Sequence, residues 1–172
     1  MILAARHVQR SALADREISV RSIRRITTLI LLCIFPLITT SAGFPEGLSA
    51  DGARLVWVDF WASWCAPCRR SFPWMNAMQE KYAADGFAVI AVNVDKDGQL
   101  AEEFLNEIPA KFTVHYDPAG RIAEAFDVQA MPSSFLLDAD GNIIASHFGF
   151  RLADTDQYEA GIREALASGS AH

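Results

Sequence analysis

The chain has 172 residues, of which 51% are hydrophobic, and this length suits one domain with an additional segment. Its charge is unevenly divided. Residues 1–42 hold six arginines and two acidic residues, a net charge of +4, whereas residues 43–172 hold nine Lys or Arg and nineteen Asp or Glu, a net charge of −10. Because a domain this acidic repels phosphate groups, the composition argues against a nucleic-acid partner.

The N-terminal segment has the pattern of an export signal. Basic residues at positions 21–25 precede a mainly apolar run, 26–40, and small residues follow with a possible cleavage point after Ala42. The run is short for a bilayer span, which takes about 20 apolar residues, so we predict a secretory signal, with an uncleaved inner-membrane anchor as the alternative. Cys33 within this run is interpreted as an inert hydrophobic residue. In either case the arginines stay inside, and residues 43–172 form a domain outside the cytoplasm.

A βαβ unit is predicted at the start of this domain. Residues 55–60 and 87–93 are short apolar runs, typical of strands that are buried on both faces. Between them, from position 67 to about 84, apolar residues recur at helical spacing, and an Asp-Gly pair ends the pattern. Two strands joined by a helix in this way imply a parallel pair.

The remaining predicted elements are shorter. We predict a helix over 99–108, with Leu100, Phe104 and Ile108 on one face. The other predicted elements are a strand at 113–116, a helix at 121–126, an antiparallel hairpin formed by 133–137 and 143–148, and a last helix capped by Asp154 or Thr155 that runs to about position 167.

The pair Cys65 and Cys68 is the candidate site of chemistry. The Cys-x-x-Cys spacing alone fits half a zinc site, a structural disulfide or a redox pair. Zinc needs four ligands, and the remaining histidines of the domain, His115, His147 and His172, are scattered, so we predict no metal. Because the pair lies where a strand gives way to a helix, unpaired N–H groups and the helix dipole would stabilise the Cys65 thiolate. Cys68, one turn later, could then attack a mixed disulfide at Cys65.

Four further residues fit a redox site. Asp59 interrupts a strand that is otherwise apolar, and burial would raise its pKa and let it accept a proton from Cys68, directly or through water. Trp61 and Trp64 flank the pair, and simple packing is the alternative for both. Pro132 stands at the start of a strand, where proline is tolerated. A cis bond there would bring the backbone of Met131 beside the dithiol, although physical reasoning alone does not favour cis.

The sequence resembles the TlpA/ResA branch of the thioredoxin-like proteins over about residues 54–167. The runs that carry the resemblance are VDFWASWCAPC at 58–68, AVNVD at 91–95, DVQAMPSSFLLD at 127–138 and DGNII at 140–144.

This resemblance implies an α/β, three-layer thioredoxin-like fold: a mixed central sheet with helices on both faces, and the branch's helix–strand insert at 99–116. It implies extracytoplasmic thiol-disulfide chemistry, with Cys65 as the nucleophile, Cys68 as the resolving thiol and Pro132 as the cis proline. There are three departures. Asp59 stands where many relatives have Asn, residues 95–97 read DKD where some relatives carry a Glu, and the segment before the first strand is too short for the usual N-terminal β-hairpin.

The function that this pattern favours is a disulfide reductase or interchange protein that acts on exported proteins, apocytochromes c among the candidates. A membrane thiol-disulfide electron donor would recharge it. A disulfide-forming oxidant and a non-catalytic thioredoxin-fold binding module stay open as alternatives. We expect a monomer without a cofactor, with substrate contacts from Trp64, Ala66, Pro67 and Met131.

Overall fold

The computed structural model describes residues 43–49 and 51–169. The predicted export segment, residues 1–42 with Cys33, therefore lies outside the described residues, and the division at position 42 stays a prediction. No helix within the described ranges combines the length and the hydropathy needed to cross a membrane.

Strands and helices alternate along most of the chain. In chain order they are β1 (Leu55–Trp61), α1 (Cys68–Tyr82), β2 (Phe87–Asn93), α2 (Gly98–Glu107), β3 (Thr113–Tyr116), α3 (Arg121–Ala125), β4 (Ser133–Asp138), β5 (Ile143–Phe148) and α4 (Thr155–Ser168). Short 3₁₀ turns follow α1 at Ala83–Asp85 and precede α4 at Leu152–Asp154.

The strands form one mixed sheet in the order β3-β2-β1-β4-β5. The pairs β1/β2 and β2/β3 are parallel, and the pairs β1/β4 and β4/β5 are antiparallel. The predicted βαβ unit and the predicted hairpin are therefore both confirmed. No strand precedes β1 in the described part of the chain.

Strand β1 is central, and all seven of its residues are buried. Because side chains alternate along a strand, Trp57, Asp59 and Trp61 point to one face of the sheet, and Val58 and Phe60 to the other. This burial on both faces explains why the sequence of β1 reads as a nearly unbroken apolar run.

Helices cover both faces of the sheet, as predicted. On the face of Trp57, the core is filled by α1, α2 and α4, which contribute Phe72, Phe104 and Ile162 among others. On the opposite face, Ile122 of α3 packs among the apolar side chains of the sheet. The result is three layers, with β1 in the middle of both cores.

The buried face of α2 and the cap of α4 differ in detail from what the sequence suggested. Leu100 is 44% exposed, and Ala101 is fully buried in its place. The buried stripe of α2 continues from Ala101 through Phe104 to Ile108, which is the i, i+3, i+7 spacing of one helix face. Asp154 occupies the N-cap position of α4, as predicted, but its side chain makes no capping hydrogen bond, and its carboxylate accepts from Arg151 Nε at 2.6 Å.

Candidate active site

The cysteine pair lies between the end of β1 and the start of α1. Two turns shape this loop: the Cys65 N–H donates to the carbonyl of Ala62 at 3.0 Å, and the Cys68 N–H donates to the carbonyl of Cys65 at 3.1 Å. Cys65 and Cys68 are joined by a disulfide, with their Cα atoms 5.3 Å apart. Cys65 is only 3% exposed and Cys68 is completely buried. The two sulfurs are therefore held together, and the reduced pair would keep them within reach of each other.

The start of α1 supplies a favourable electrostatic environment for Cys65. The backbone N–H of Cys68 lies 3.2 Å from Cys65 Sγ and donates to it. This N–H belongs to the first residue of a 15-residue helix, whose N-terminus carries the positive end of the helix dipole. Both interactions stabilise a thiolate over a thiol at Cys65. Within residues 43–49 and 51–169, no three His, Cys, Asp or Glu side chains cluster closely enough to hold a metal ion.

Asp59 is buried in the middle of β1, on the face of the sheet that α1 covers, and is only 1% exposed. Burial raises the pKa of its carboxyl from 3.8 to about 7, and a hydrogen bond from Ser134 opposes that rise. Ser134 Oγ donates to Asp59 Oδ1 at 2.6 Å, whereas Asp59 Oδ2 has no hydrogen-bond partner among the described residues. A carboxyl with such a pKa changes its protonation near neutral pH, as a proton acceptor must.

The two tryptophans near the cysteine pair differ sharply in solvent exposure. Trp61 is fully buried and packs against Phe72 and Phe104, with ring centroids 4.9 and 4.7 Å away. Trp61 is therefore a core residue, which was the alternative left open for it. Trp64 is 70% exposed although it directly precedes Cys65. A large apolar side chain so exposed beside the sulfurs is available to a binding partner, and its substrate role stays a prediction.

The peptide bond between Met131 and Pro132 is cis. Pro132 is buried, and its carbonyl accepts a hydrogen bond from the Gly149 N–H at 2.8 Å. Since β4 runs antiparallel to β1 and Ser133 pairs with Phe60, the start of β4 lies at the same end of the sheet as the cysteine loop. Met131, Ala66 and Pro67 thus belong to that end of the molecule, and their contacts with a substrate stay predictions.

Asp95 supports the cysteine loop and was not singled out from the sequence as a site residue. Its carboxylate accepts hydrogen bonds from the Ser63 N–H at 2.8 Å and from Ser63 Oγ at 3.0 Å. It also accepts from Asn93 Nδ2 at 2.8 Å, and Asp95 is only 5% exposed. The signal available was its position two residues after the end of a parallel strand, because the carboxyl ends of β1 and β2 meet at one edge of the sheet.

Comparisons with known proteins agree with this geometry. The Redoxin family model matches residues 47–162 of the chain. Thiol-disulfide oxidoreductase ResA from Bacillus thuringiensis subsp. konkukian is 36% identical over 89 residues, which cover 52% of this chain and 51% of that protein. ResA from Bacillus subtilis is 29% identical over 89 residues, covering 52% of this chain and 50% of that protein. The chain thus spans about half the length of the curated relatives it matches.

Solved structures are similar to this chain in fold. A Chlorobium tepidum protein named thiol:disulfide interchange protein DsbE is 50% identical, with a TM-score of 0.66, and the match covers 68% of this chain and 82% of that one. StoA from Bacillus subtilis is 24% identical, with a TM-score of 0.55 over 63% of this chain and 81% of that one, and is alike in fold. The architecture described above is therefore thioredoxin-like.

Proposed function

The chain belongs to the Redoxin family, and we propose that it is an extracytoplasmic thiol-disulfide oxidoreductase that reduces or interchanges disulfides in exported proteins. The observation that carries the proposal is the Cys65–Cys68 pair at the start of α1, with a backbone N–H directed at Cys65 Sγ. The names of the ResA and DsbE relatives support the same chemistry.

The proposed cycle transfers two electrons from the dithiol to a substrate disulfide. The Cys65 thiolate attacks one substrate sulfur, so the substrate disulfide breaks and a mixed disulfide forms while the other substrate sulfur leaves as a thiolate. Cys68 then gives its proton to Asp59, directly or through water, and attacks Cys65 Sγ. The mixed disulfide breaks, the Cys65–Cys68 disulfide forms, and the substrate leaves with two reduced cysteines. A membrane thiol-disulfide donor would return the pair to the dithiol form.

Substrate contacts are proposed for the residues around the sulfurs. The exposed Trp64 offers apolar area, and Ala66 and Pro67 separate the two cysteines without adding charge. The backbone of Met131, before the cis bond to Pro132, would pair with an extended substrate segment. Apocytochromes c are one candidate class among exported substrates.

Insulin reduction tests the catalytic role. Wild type should catalyse dithiothreitol-driven insulin reduction, and Cys65→Ser should abolish it, because no nucleophilic sulfur remains at that position. Cys33→Ser is the matched control, since it removes the third cysteine and leaves the pair intact. Unchanged turnover in Cys65→Ser would support the non-catalytic binding module instead.

Two further measurements address direction and substrate. The reduction potential of the pair, measured against glutathione, should be well below the value of about −120 mV that marks a strong oxidant, and a potential that high would favour the disulfide-forming alternative. Cys68→Ser removes the resolving thiol, so it should retain exported proteins as mixed disulfides with Cys65 that mass spectrometry can identify.

The location outside the cytoplasm rests on the arginine-rich and apolar pattern of residues 1–42. A fusion of these residues to a phosphatase that is active only after export tests it. Active phosphatase supports export, and the size of the product separates a cleaved signal from an anchor. Inactive phosphatase would refute the proposed location without affecting the proposed chemistry.

A further inference from the structure

Ser134 is linked to the candidate proton acceptor across the sheet. It lies on β4, is 4% exposed, and is the register partner of Asp59 on β1. Its hydroxyl donates to Asp59 Oδ1 at 2.6 Å. Because a carboxylate has no proton to donate, the serine hydroxyl is the donor of this bond when Asp59 is ionised. One of the two carboxyl oxygens of Asp59 is therefore occupied by a hydrogen bond from β4.

The other oxygen is left without a partner. Asp59 Oδ2 is buried and accepts no hydrogen bond within the described residues. Buried polar atoms are nearly always paired, so an unpaired carboxyl oxygen calls for a functional explanation. The structure assigns Ser134 as a positioning residue whose hydroxyl holds Asp59 Oδ1 and leaves Oδ2 as the oxygen that receives the Cys68 proton. This inference rests on the proposed function for the identity of the proton donor.

The groups around Asp59 determine how strongly its carboxylate depends on the hydrogen bond from Ser134. On β2 its register partner is the uncharged Ala91. The titratable side chains buried in the core on this face of the sheet are Cys65, Cys68, Tyr82 and Tyr158, and His147 of β5 stacks on Trp57 beside them. Burial lowers the pKa of His147, so this ring is mostly neutral at pH 7. The cations of α1 and α4, which are Arg69, Arg70, Lys81 and Arg163, are exposed, and none of the ion pairs among the described residues includes Asp59.

The Ser134 hydroxyl therefore opposes the effect of burial on the pKa of Asp59. Burial favours the neutral carboxyl, and the hydroxyl donates to the charged form and so favours it. Without the hydroxyl, the pKa of Asp59 should rise further, and less of the carboxylate would be available at pH 7. The second step of the cycle, in which Cys68 loses its proton, would slow at neutral pH and recover at alkaline pH. Attack by Cys65 on the substrate would not depend on this bond.

The test uses a pair of variants that differ in the hydroxyl alone. Ser134→Thr keeps a hydroxyl on a strand-favouring side chain, and Ser134→Val has the same shape without it. Ser134→Ala is a second hydroxyl-free variant in case valine disturbs packing. Ser133→Ala is the control, because it removes a buried hydroxyl that donates to the carbonyl of Ala130 and not to Asp59. Circular dichroism checks that each full-length variant is folded.

The direct readout is the titration of the Asp59 carboxyl carbon by NMR in the reduced protein. We expect the midpoint to rise by about one pH unit in Ser134→Val and Ser134→Ala, and to stay near that of wild type in Ser134→Thr and Ser133→Ala. Insulin reduction by the hydroxyl-free variants should be about fivefold slower at pH 7, the loss of carboxylate that a one-unit shift gives, and close to wild type at pH 9.

Two results would overturn the role of Ser134. One is an Asp59 midpoint that does not move in either hydroxyl-free variant. The other is an equal rise in Ser133→Ala, which would mean that any lost hydroxyl at the start of β4 has the same effect. The proposed function is judged separately: wild-type protein that fails to reduce insulin would refute it, and the NMR titration would still decide whether Ser134 holds the carboxyl.

Discussion

Replacing Asp59 with asparagine should change how the stability of the protein depends on pH. The pKa of the carboxyl rises from 3.8 to about 7 on folding, a difference of about three units. Each unit corresponds to about 1.36 kcal/mol, so ionisation of this group costs the folded state about 4 kcal/mol at pH 8 relative to pH 4. Between these values the folded carboxyl is still protonated while the unfolded one is charged. Unfolding therefore releases a proton, and stability falls as pH rises from about 4 to 7.

An asparagine amide cannot ionise, so this slope disappears in Asp59→Asn. We expect the free energy of unfolding of the variant, minus that of wild type, to grow by about 4 kcal/mol between pH 4 and pH 8. The measurement is urea denaturation of both oxidised proteins at several pH values, because the disulfide removes the thiols from the titration. Taking the difference cancels every ionisable group the two proteins share. A difference that is constant with pH would refute the reasoning, whatever its absolute size.

Three other substitutions, two of them with a control variant, test the core, the start of α3 and the cysteine loop. Phe72→Ala should cost about 3–5 kcal/mol in urea denaturation, because Phe72 is fully buried, whereas Phe148→Ala at a position 69% exposed should cost less than about 0.5 kcal/mol. Asp117→Ala should cost about 1–2 kcal/mol by the same assay, since its carboxylate accepts from the first three backbone N–H groups of α3. Asp95→Ala should slow alkylation of the reduced Cys65 thiol by iodoacetamide at pH 7 by about threefold or more, because a loosened loop no longer aligns the N–H groups that favour the thiolate. Equal slowing in Asp97→Ala, which changes only the cap of α2, would contradict that role.

The order of the elements could be predicted from the sequence because the central strands are buried on both faces. Such strands appear as unbroken apolar runs, and the bounds predicted for β2, β3 and β5 agree with the structure. The buried face of α2 could not be predicted from the sequence, because the apolar residues at 100, 104 and 108 also recur at a helical spacing. Only the packed structure selects Ala101 over Leu100.

The candidate site was predictable where its signal is local. The cysteine pair and the interrupting Asp59 stand out within eleven consecutive residues, 58–68. The partners that hold them do not, because Ser134 is 75 residues from Asp59 and Asp95 is 32 residues from Ser63. Such pairs become visible only once the register between strands is known.

The burial of Asp59 raises the question of why β1 contains an acidic residue. Burial from both faces makes β1 the most enclosed element of the sheet, and the same burial raises the pKa of its one carboxyl to about 7. A strand with only a structural role would be more stable with an apolar residue there, since the buried carboxyl costs about 4 kcal/mol above pH 7. A catalytic use of the proton, as proposed above, would account for that cost. The enclosed strand and the unpaired Oδ2 therefore fit the proposed role of Asp59 as a proton acceptor for the dithiol, in which stability is given up for a carboxyl that titrates near neutral pH.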